Sequence, residues 1–256
     1  ISNKMRKILV IGESCKDVFI YGDCSRLTPE APVPVFNPVK TLENGGMAKN
    51  VQKNVSALGV SCNLLTNVNW QTITKTRFIE LRSNHMFIRV DANDKSYGSI
   101  DMKSVDFGAY DAIIISDYNK GYLTEEDIKN ISLAHDNTFL DTKKILGPWC
   151  DNIKFIKINN FEYEKTKHLL NENIRDKLIV TLGSQGALHD GIVYPVKKVE
   201  IKDVAGAGDT FISGLAVKYT ETKDISKSIE FANICATSVV QRKGVNVLHI
   251  GDKDEI

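Results

Sequence analysis

The stretch best equipped for chemistry is Asp203-Val204-Ala205-Gly206-Ala207-Gly208-Asp209-Thr210-Phe211. Its two glycines flank a single alanine, so no bulky side chain keeps an anion away from the backbone. Ile212, Leu215, Ala216 and Tyr219 then recur at helical spacing, which predicts a helix N-terminus over Gly206 to Asp209. Unpaired amides and the positive end of a helix dipole make an anion site there. Asp209 has two readings at that position. It is a helix cap, or it accepts a proton from an attacking hydroxyl while the amides of Gly206, Ala207 and Gly208 hold a transferring phosphoryl group. The dipole is expected to lower the Asp209 pKa and make it a weak base. Phosphoryl transfer tolerates that, because its loose transition state asks mainly for positioning and charge stabilisation. No Gly-Lys-Ser/Thr follows the glycines, which excludes a Walker A loop.

Behind this loop the pattern predicts alternating strands and helices. Residues 7–12 read as a buried parallel strand and Cys15 to Tyr21 as a second short run. Pro29, Pro32, Pro34 and Pro38 forbid helix and suit an extended edge or rim. That rim is either a surface connection or a β flap over the mouth of a site, excluding water. Gly45-Gly46 precede a helix carrying Val51, Val55 and Leu58 on one face and stopped by Gly59. Ser61 to Thr66 is a strand, and Thr74 to Leu81 with His85 to Val90 form a hairpin around Arg82-Ser83-Asn84.

From Asp111 the alternation becomes regular. Strands are expected at 111–116, 137–140, 154–158 and 177–182, and helices from Thr124, over 161–170, 207–220 and 225–241. Short connections between such units mean βαβ crossovers and a mostly parallel, doubly wound sheet with helices on both faces. Ligands gather at the carboxyl ends of the strands in these sheets. Asp117, Asp141, Asn159, Thr181 and Asp209 all lie near such ends, an argument for one shared site.

Bulk properties narrow the class. A chain of 256 residues can bury a full core in one domain with a small appendage. Net charge is +1 and no basic block occurs, so nucleic acid and anionic membrane are not expected partners. The five cysteines are scattered without C-x-x-C, which fits a reducing cytoplasm better than a disulfide framework or zinc site. The five histidines are isolated, as surface or packing residues are. No run approaches a membrane span, and the Ile8-Leu9-Val10-Ile11 run is too short for a signal peptide.

The stretch around Asp209 closely resembles the D-T-x-G-A-G-D signature of ribokinase-like (PfkB) carbohydrate kinases. Within that family the chain is most similar to heptose-7-phosphate 1-kinases. Ser25 to Pro34 is similar to their S-R-I-S-P-E-A-P-V-P, Thr72 to Lys75 to T-I-T-K, and Ile88 to Asp91 to I-R-L-D. Ser116 to Gly121 is similar to S-D-Y-x-K-G, and Asp141-Thr142-Lys143 stands where they carry D-P-K. The resemblance implies a ribokinase-like fold with a β-strand lid formed by about 15–40 and 74–91. It implies ATP and Mg²⁺ as cofactors, leaves a monovalent cation open, and implies transfer of a phosphoryl group to a sugar or sugar-phosphate hydroxyl.

Carried over by position, Asp209 is the base and Gly206, Ala207 and Gly208 the anion hole. Asn159 and Glu162 match the N-x-x-E that organises Mg²⁺ and phosphates, with Glu162 on the metal. The same pair is also a natural capping box. Thr181, Gly183 and Gly186 match the T-x-G-x-x-G turn at the nucleotide, and Asn233 falls near adenine. Asp17, Gly45, Gly46 and Asn50 match the sugar-hydroxyl contacts, with Asp117 nearby; acceptors placed on hydroxyls are what rejection of wrong sugars requires. Lys120 and Lys143 either hold a substrate or nucleotide phosphate or are solvated. In relatives such flaps pair between subunits, so the resemblance implies a homodimer through the lid.

Three departures bear on the acceptor. Only Asn67 to Gln71 stand where the family carries a further helix and strand, so one sheet edge is expected to be trimmed. Glu13 replaces the usual first aspartate near the sugar, and the Gly45 to Asn50 segment is one residue longer than usual. Alternative readings are therefore a fructose, ribose or nucleoside acceptor, or a non-catalytic sugar- or nucleotide-binding homologue.

Overall fold

The computed structural model describes residues 6–244, 247–249 and 252. β1 (Lys7–Gly12) is apolar along its whole middle because both of its faces are covered. Ile8 and Val10 enter one core cluster while Leu9 and Ile11 enter the other. β4 (Ser61–Leu65), β7 (Ala112–Asp117), β8 (Thr138–Thr142), β9 (Phe155–Asn159) and β10 (Leu178–Thr181) lie parallel in the same sheet. β11 (Ala187–His189) and β12 (Ile192–Tyr194) add an antiparallel edge, giving the order β12-β11-β10-β9-β8-β7-β1-β4.

The helices divide between the two faces. α1 (Ala48–Ala57), α5 (Ala207–Thr222) and α6 (Ile225–Val240) pack on one through Val51, Val55, Ile212, Leu215, Ile229 and Ala232. α2 (Glu125–Ala134) and α4 (Glu172–Arg175) cover the other through Ile128, Ile131 and Ile174. This is the expected doubly wound, mostly parallel arrangement.

A second sheet has the order β3-β2-β5-β6, from β2 (Ser14–Asp23), β3 (Asn37–Met47), β5 (Thr74–Glu80) and β6 (Met86–Ala92). The proline segment forms a rim fastened by one bridge, Leu27 to Pro34, before β3 begins. β3 runs seven residues past position 40, through a polar, glycine-containing stretch with no strand propensity of its own. Pairing with β2 supplies the order, with Asp17 opposite Asn44 and Cys15 opposite Gly46.

One other expectation changes. The helix expected over 161–170 stops as α3 (Asn160–Thr166), because Asn171 caps a separate turn, α4, by accepting from Ile174 N. The 67–71 segment closes compactly. Fully buried Asn67 accepts from Ser14 N at 2.8 Å, and Asn69 accepts from Tyr97 N at 2.9 Å. β4 is one of the two edge strands of the larger sheet.

Candidate active site

Gly206 begins the site. Its φ of 87° lies in the left-handed region, which lets the chain turn sharply into α5. Ala207 N donates to Val204 O at 3.2 Å, so that amide closes the turn and is not available to an anion. This corrects the expectation of an unbroken run of free amides. Those of Gly206, Gly208 and Asp209 donate to no protein group among the described residues. The first turn of a sixteen-residue helix therefore still offers donors and a positive dipole end.

Asp209 is not the helix cap. Its side chain is 4% exposed; Oδ1 accepts from the Tyr118 hydroxyl at 2.8 Å and Oδ2 from Asn50 Nδ2 at 3.5 Å. Burial, and next the neighbouring Asp141 carboxylate, push its pKa up from 3.8 to about 6. Tyr118, Lys157 and Asn50 pull the other way. The lowered pKa expected from the dipole is thus overturned. Desolvating a carboxylate outweighs half a charge at a helix end. The result is a carboxylate with useful basicity near neutral pH.

Beneath the turn lies a buried ion pair. Lys157 Nζ donates to Asp141 Oδ2 at 2.9 Å, and both side chains are almost wholly buried. Asp141 Oδ1 has no hydrogen-bond partner among the described residues. A Cβ added to Gly208 would stand 2.8 Å from Lys157 Nζ, so Gly208 makes room for a cation.

The expected acceptor residues come from β2 (Asp17), β3 (Gly45 and Gly46), α1 (Asn50) and the end of β7 (Asp117). Asp17 Oδ1 accepts from Arg77 Nη1 at 2.8 Å, and a Cβ on Gly46 would come within 2.1 Å of Asp17 Oδ2. Gly45 lies against the Lys49 stem, whose ammonium sits over the Trp70 ring. Asn50 faces Asp209 directly. Asp117 turns inward, its carboxylate held by Thr142 Oγ1 at 2.6 Å and Lys144 Nζ at 2.9 Å. Lys120 pairs with Asp94. Glu13 is fully buried and accepts from the amides of Tyr118 at 2.8 Å and Lys120 at 2.9 Å. It fixes the 117–122 turn, and burial followed by nearby Asp117 raises its pKa.

On the opposite side of α5 a cavity of about 540 Å³ is lined by Thr181, Gly183, Gly186, Ala207, Gly208 and Asn233. Val199, Ile201, Val204, Ala236 and Val240 give it apolar walls of the kind that hold a planar ring. Gly186, at φ 97°, has no room for a side chain, since a Cβ would meet Tyr194 O at 1.9 Å. Asn233 Nδ2 donates to Tyr194 O at 2.9 Å.

Asn159, Glu162 and Lys143 form an adjoining cluster. Both capping-box hydrogen bonds are made: Glu162 N donates to Asn159 Oδ1, and Asn159 N donates to Glu162 Oε2, each at 2.8 Å. The other oxygen, Glu162 Oε1, is ion-paired with Lys143. Burial lowers the Lys143 pKa, but the Asp141 and Glu162 carboxylates more than offset this and leave it raised. Among the described residues no three His, Cys, Asp or Glu side chains gather as a metal site. Mg²⁺ that keeps water and phosphate ligands needs only one or two carboxylates. Glu162 Oε2 is engaged by Asn159 N and Oε1 by Lys143, so a cation at Glu162 would have to displace the Lys143 ammonium.

Asp141 joins the site as its strand-end position predicts, whereas Tyr118, Lys157 and Arg77 join it without having been assigned a place. Of these three Lys157 carried a signal, a charge between Ile156 and Ile158 in a strand expected to be buried.

The sequence matches the pfkB family carbohydrate kinase over residues 154–249. It is 31% identical over 295 residues to the bifunctional protein HldE of Helicobacter acinonychis (strain Sheeba), and 32% identical to that of Helicobacter pylori (strain J99). Each comparison covers 94% of this chain and 64% of the relative, so the chain spans less than two thirds of their length. Among solved structures, a ribokinase from Thermotoga maritima superposes with a TM-score of 0.72 at 15% identity, covering 98% of both chains. A nucleoside kinase from Methanocaldococcus jannaschii gives 0.71 at 19%, also over 98% of both. At these identities the structures establish a shared fold.

Proposed function

We propose that this chain is a carbohydrate kinase of the pfkB family, a phosphotransferase with an alcohol group as acceptor, and that it phosphorylates a heptose 7-phosphate from ATP. The Asp209 carboxylate carries the reading. It is buried, more basic than usual, and set on the first turn of α5 beside free amides. ATP places its base in the apolar cavity beside Asn233 and Ala236, with its phosphates directed past Gly183 and Gly186 toward Gly208. The acceptor lies between Asp17, Gly46 and Asn50. Asp209 takes the proton of the acceptor hydroxyl, the oxygen attacks the γ-phosphorus, and the bond to the β-γ bridging oxygen breaks to release ADP. The Gly206, Gly208 and Asp209 amides, backed by the Lys157 ammonium, stabilise charge on the moving group. Glu162 would hold Mg²⁺, which neutralises the nucleotide phosphates.

Heptose 7-phosphate is favoured by the motifs at Ser25–Pro34, Thr72–Lys75 and Ser116–Gly121, with the HldE relatives in support. The second sheet acts as a lid on one kinase domain. Its exposed Met86, Phe87, Ile88 and Val90 favour pairing with the lid of another copy. The compact closure at Asn67–Gln71 keeps a second reading in play, the same chemistry on a fructose, ribose or nucleoside acceptor.

The test is an ADP-release assay over these acceptors with ATP and Mg²⁺. Fastest turnover is expected with heptose 7-phosphate. Faster turnover with another acceptor overturns the substrate, and ADP release with none overturns the kinase reading.

A further inference from the structure

Tyr118 is a tyrosine aimed at a carboxylate from 91 positions away in sequence. Its backbone is anchored by Glu13, which accepts from Tyr118 N and Lys120 N, while Asn119 and Gly121 turn the chain through positive φ. The ring packs on Cys15, Met47 and Ile73 at the root of the second sheet. Lys143 Nζ lies 5.4 Å and Lys75 Nζ 5.5 Å from the ring centroid. Backbone anchor, packing and flanking cations leave the ring little freedom, and its hydroxyl meets Asp209 Oδ1 at 2.8 Å.

We propose that Tyr118 is a positioning residue for the phosphoryl transfer proposed above, orienting Asp209 through Oδ1 and holding that carboxylate in its charged, proton-accepting form. The inference rests on that reading of Asp209. Groups of both signs face Asp209 from the elements around it. Asp141 on β8 opposes its charge, as Cys15 on β2 would if ionised, whereas Lys157 on β9 and Lys143 beyond β8 favour it. Neutral Asn50 on α1 donates only at 3.5 Å. The Tyr118 hydroxyl makes the shortest hydrogen bond to this carboxylate. Burial, and next the Asp209 charge, raise the Tyr118 pKa well above the phenolic value, so this hydroxyl remains a donor across the working range. A donor that bonds the ionised carboxylate lowers its proton affinity. Without it, burial beside Asp141 would favour protonated Asp209, which cannot accept the acceptor's proton.

Tyr118→Phe keeps the ring and removes only the donor. The acid limb of kcat/KM against pH, which reports the free enzyme, should move up by about one pH unit. Asp141→Asn should move it down, the opposite sign from a neighbouring change. A ¹³C NMR titration of aspartate carboxylates, with Asp209→Asn to assign the resonance, reads the same shifts without turnover. An unmoved Asp209 titration in Tyr118→Phe overturns the proposal, as does lower kcat with an unmoved acid limb. Absence of phosphorylation by the wild type would instead strike the kinase reading, leaving the NMR titration to decide whether Tyr118 controls Asp209.

Discussion

Lys157 Nζ packs so closely under Gly208 that a Cβ there would stand 2.8 Å from it. Gly208 has no positive φ, so its need for glycine is spatial. Lys157 cannot swing aside cheaply, because it is buried and paired with Asp141. Gly208→Ala should destabilise the fold by about 1–3 kcal/mol, as over-packing does, and should lower kcat at least tenfold. Thermal unfolding and steady-state kinetics on the same preparation check both. A variant with normal kcat would show that the cation beneath the turn plays no part in the transfer.

The Asp209 pKa carries a stability cost with a defined pH window. Burial raises it from 3.8 to about 6 in the folded protein, so the folded state binds this proton more tightly than the unfolded chain. The cost is absent below about pH 4, develops as pH rises toward 6, and is complete above it. At about 1.4 kcal/mol per pH unit it reaches about 3 kcal/mol. Asp209→Asn should therefore raise Tm by several degrees at pH 8, with the gain vanishing near pH 4. Equal Tm values at both pH values would mean that Asp209 bears no such strain.

Gly46 stands opposite Cys15 on β2 and beside Asp17. A Cβ would meet Asp17 Oδ2 at 2.1 Å and Cys15 Sγ at 2.7 Å, which forces Asp17 away from Arg77. If Asp17 holds an acceptor hydroxyl, Gly46→Ala should raise the acceptor KM about tenfold, or about 1.4 kcal/mol, with the ATP KM unchanged. Measuring both constants separates the two sites. Equal rises would mean a general disturbance of the fold.

The larger sheet was legible because its strands are apolar runs with turn signals between them, and the loop before α5 because glycines and Asp209 announced it. β3 was not, since Thr41 to Gly46 is polar and glycine-rich and gains its order only by pairing with β2. β11 and β12, three residues each, are too short for a periodicity to show. Asn159 and Glu162 were legible as a capping pair, and both hydrogen bonds are present. The Tyr118 hydroxyl on Asp209 and the Arg77 pairing with Asp17 join residues 91 and 60 positions apart. No local pattern encodes either contact. The direction of the Asp209 shift was misread for a related reason: the dipole is visible in sequence, whereas the depth of burial is a property of the assembled fold.

The central claim is that Asp209 accepts the proton as the phosphoryl group moves. Its most direct test is the turnover of Asp209→Asn with ATP, Mg²⁺ and the acceptor that the wild-type protein phosphorylates fastest. The account predicts kcat lower by roughly 10²–10⁴-fold, with ATP affinity retained. Turnover within a few-fold of wild type would contradict it.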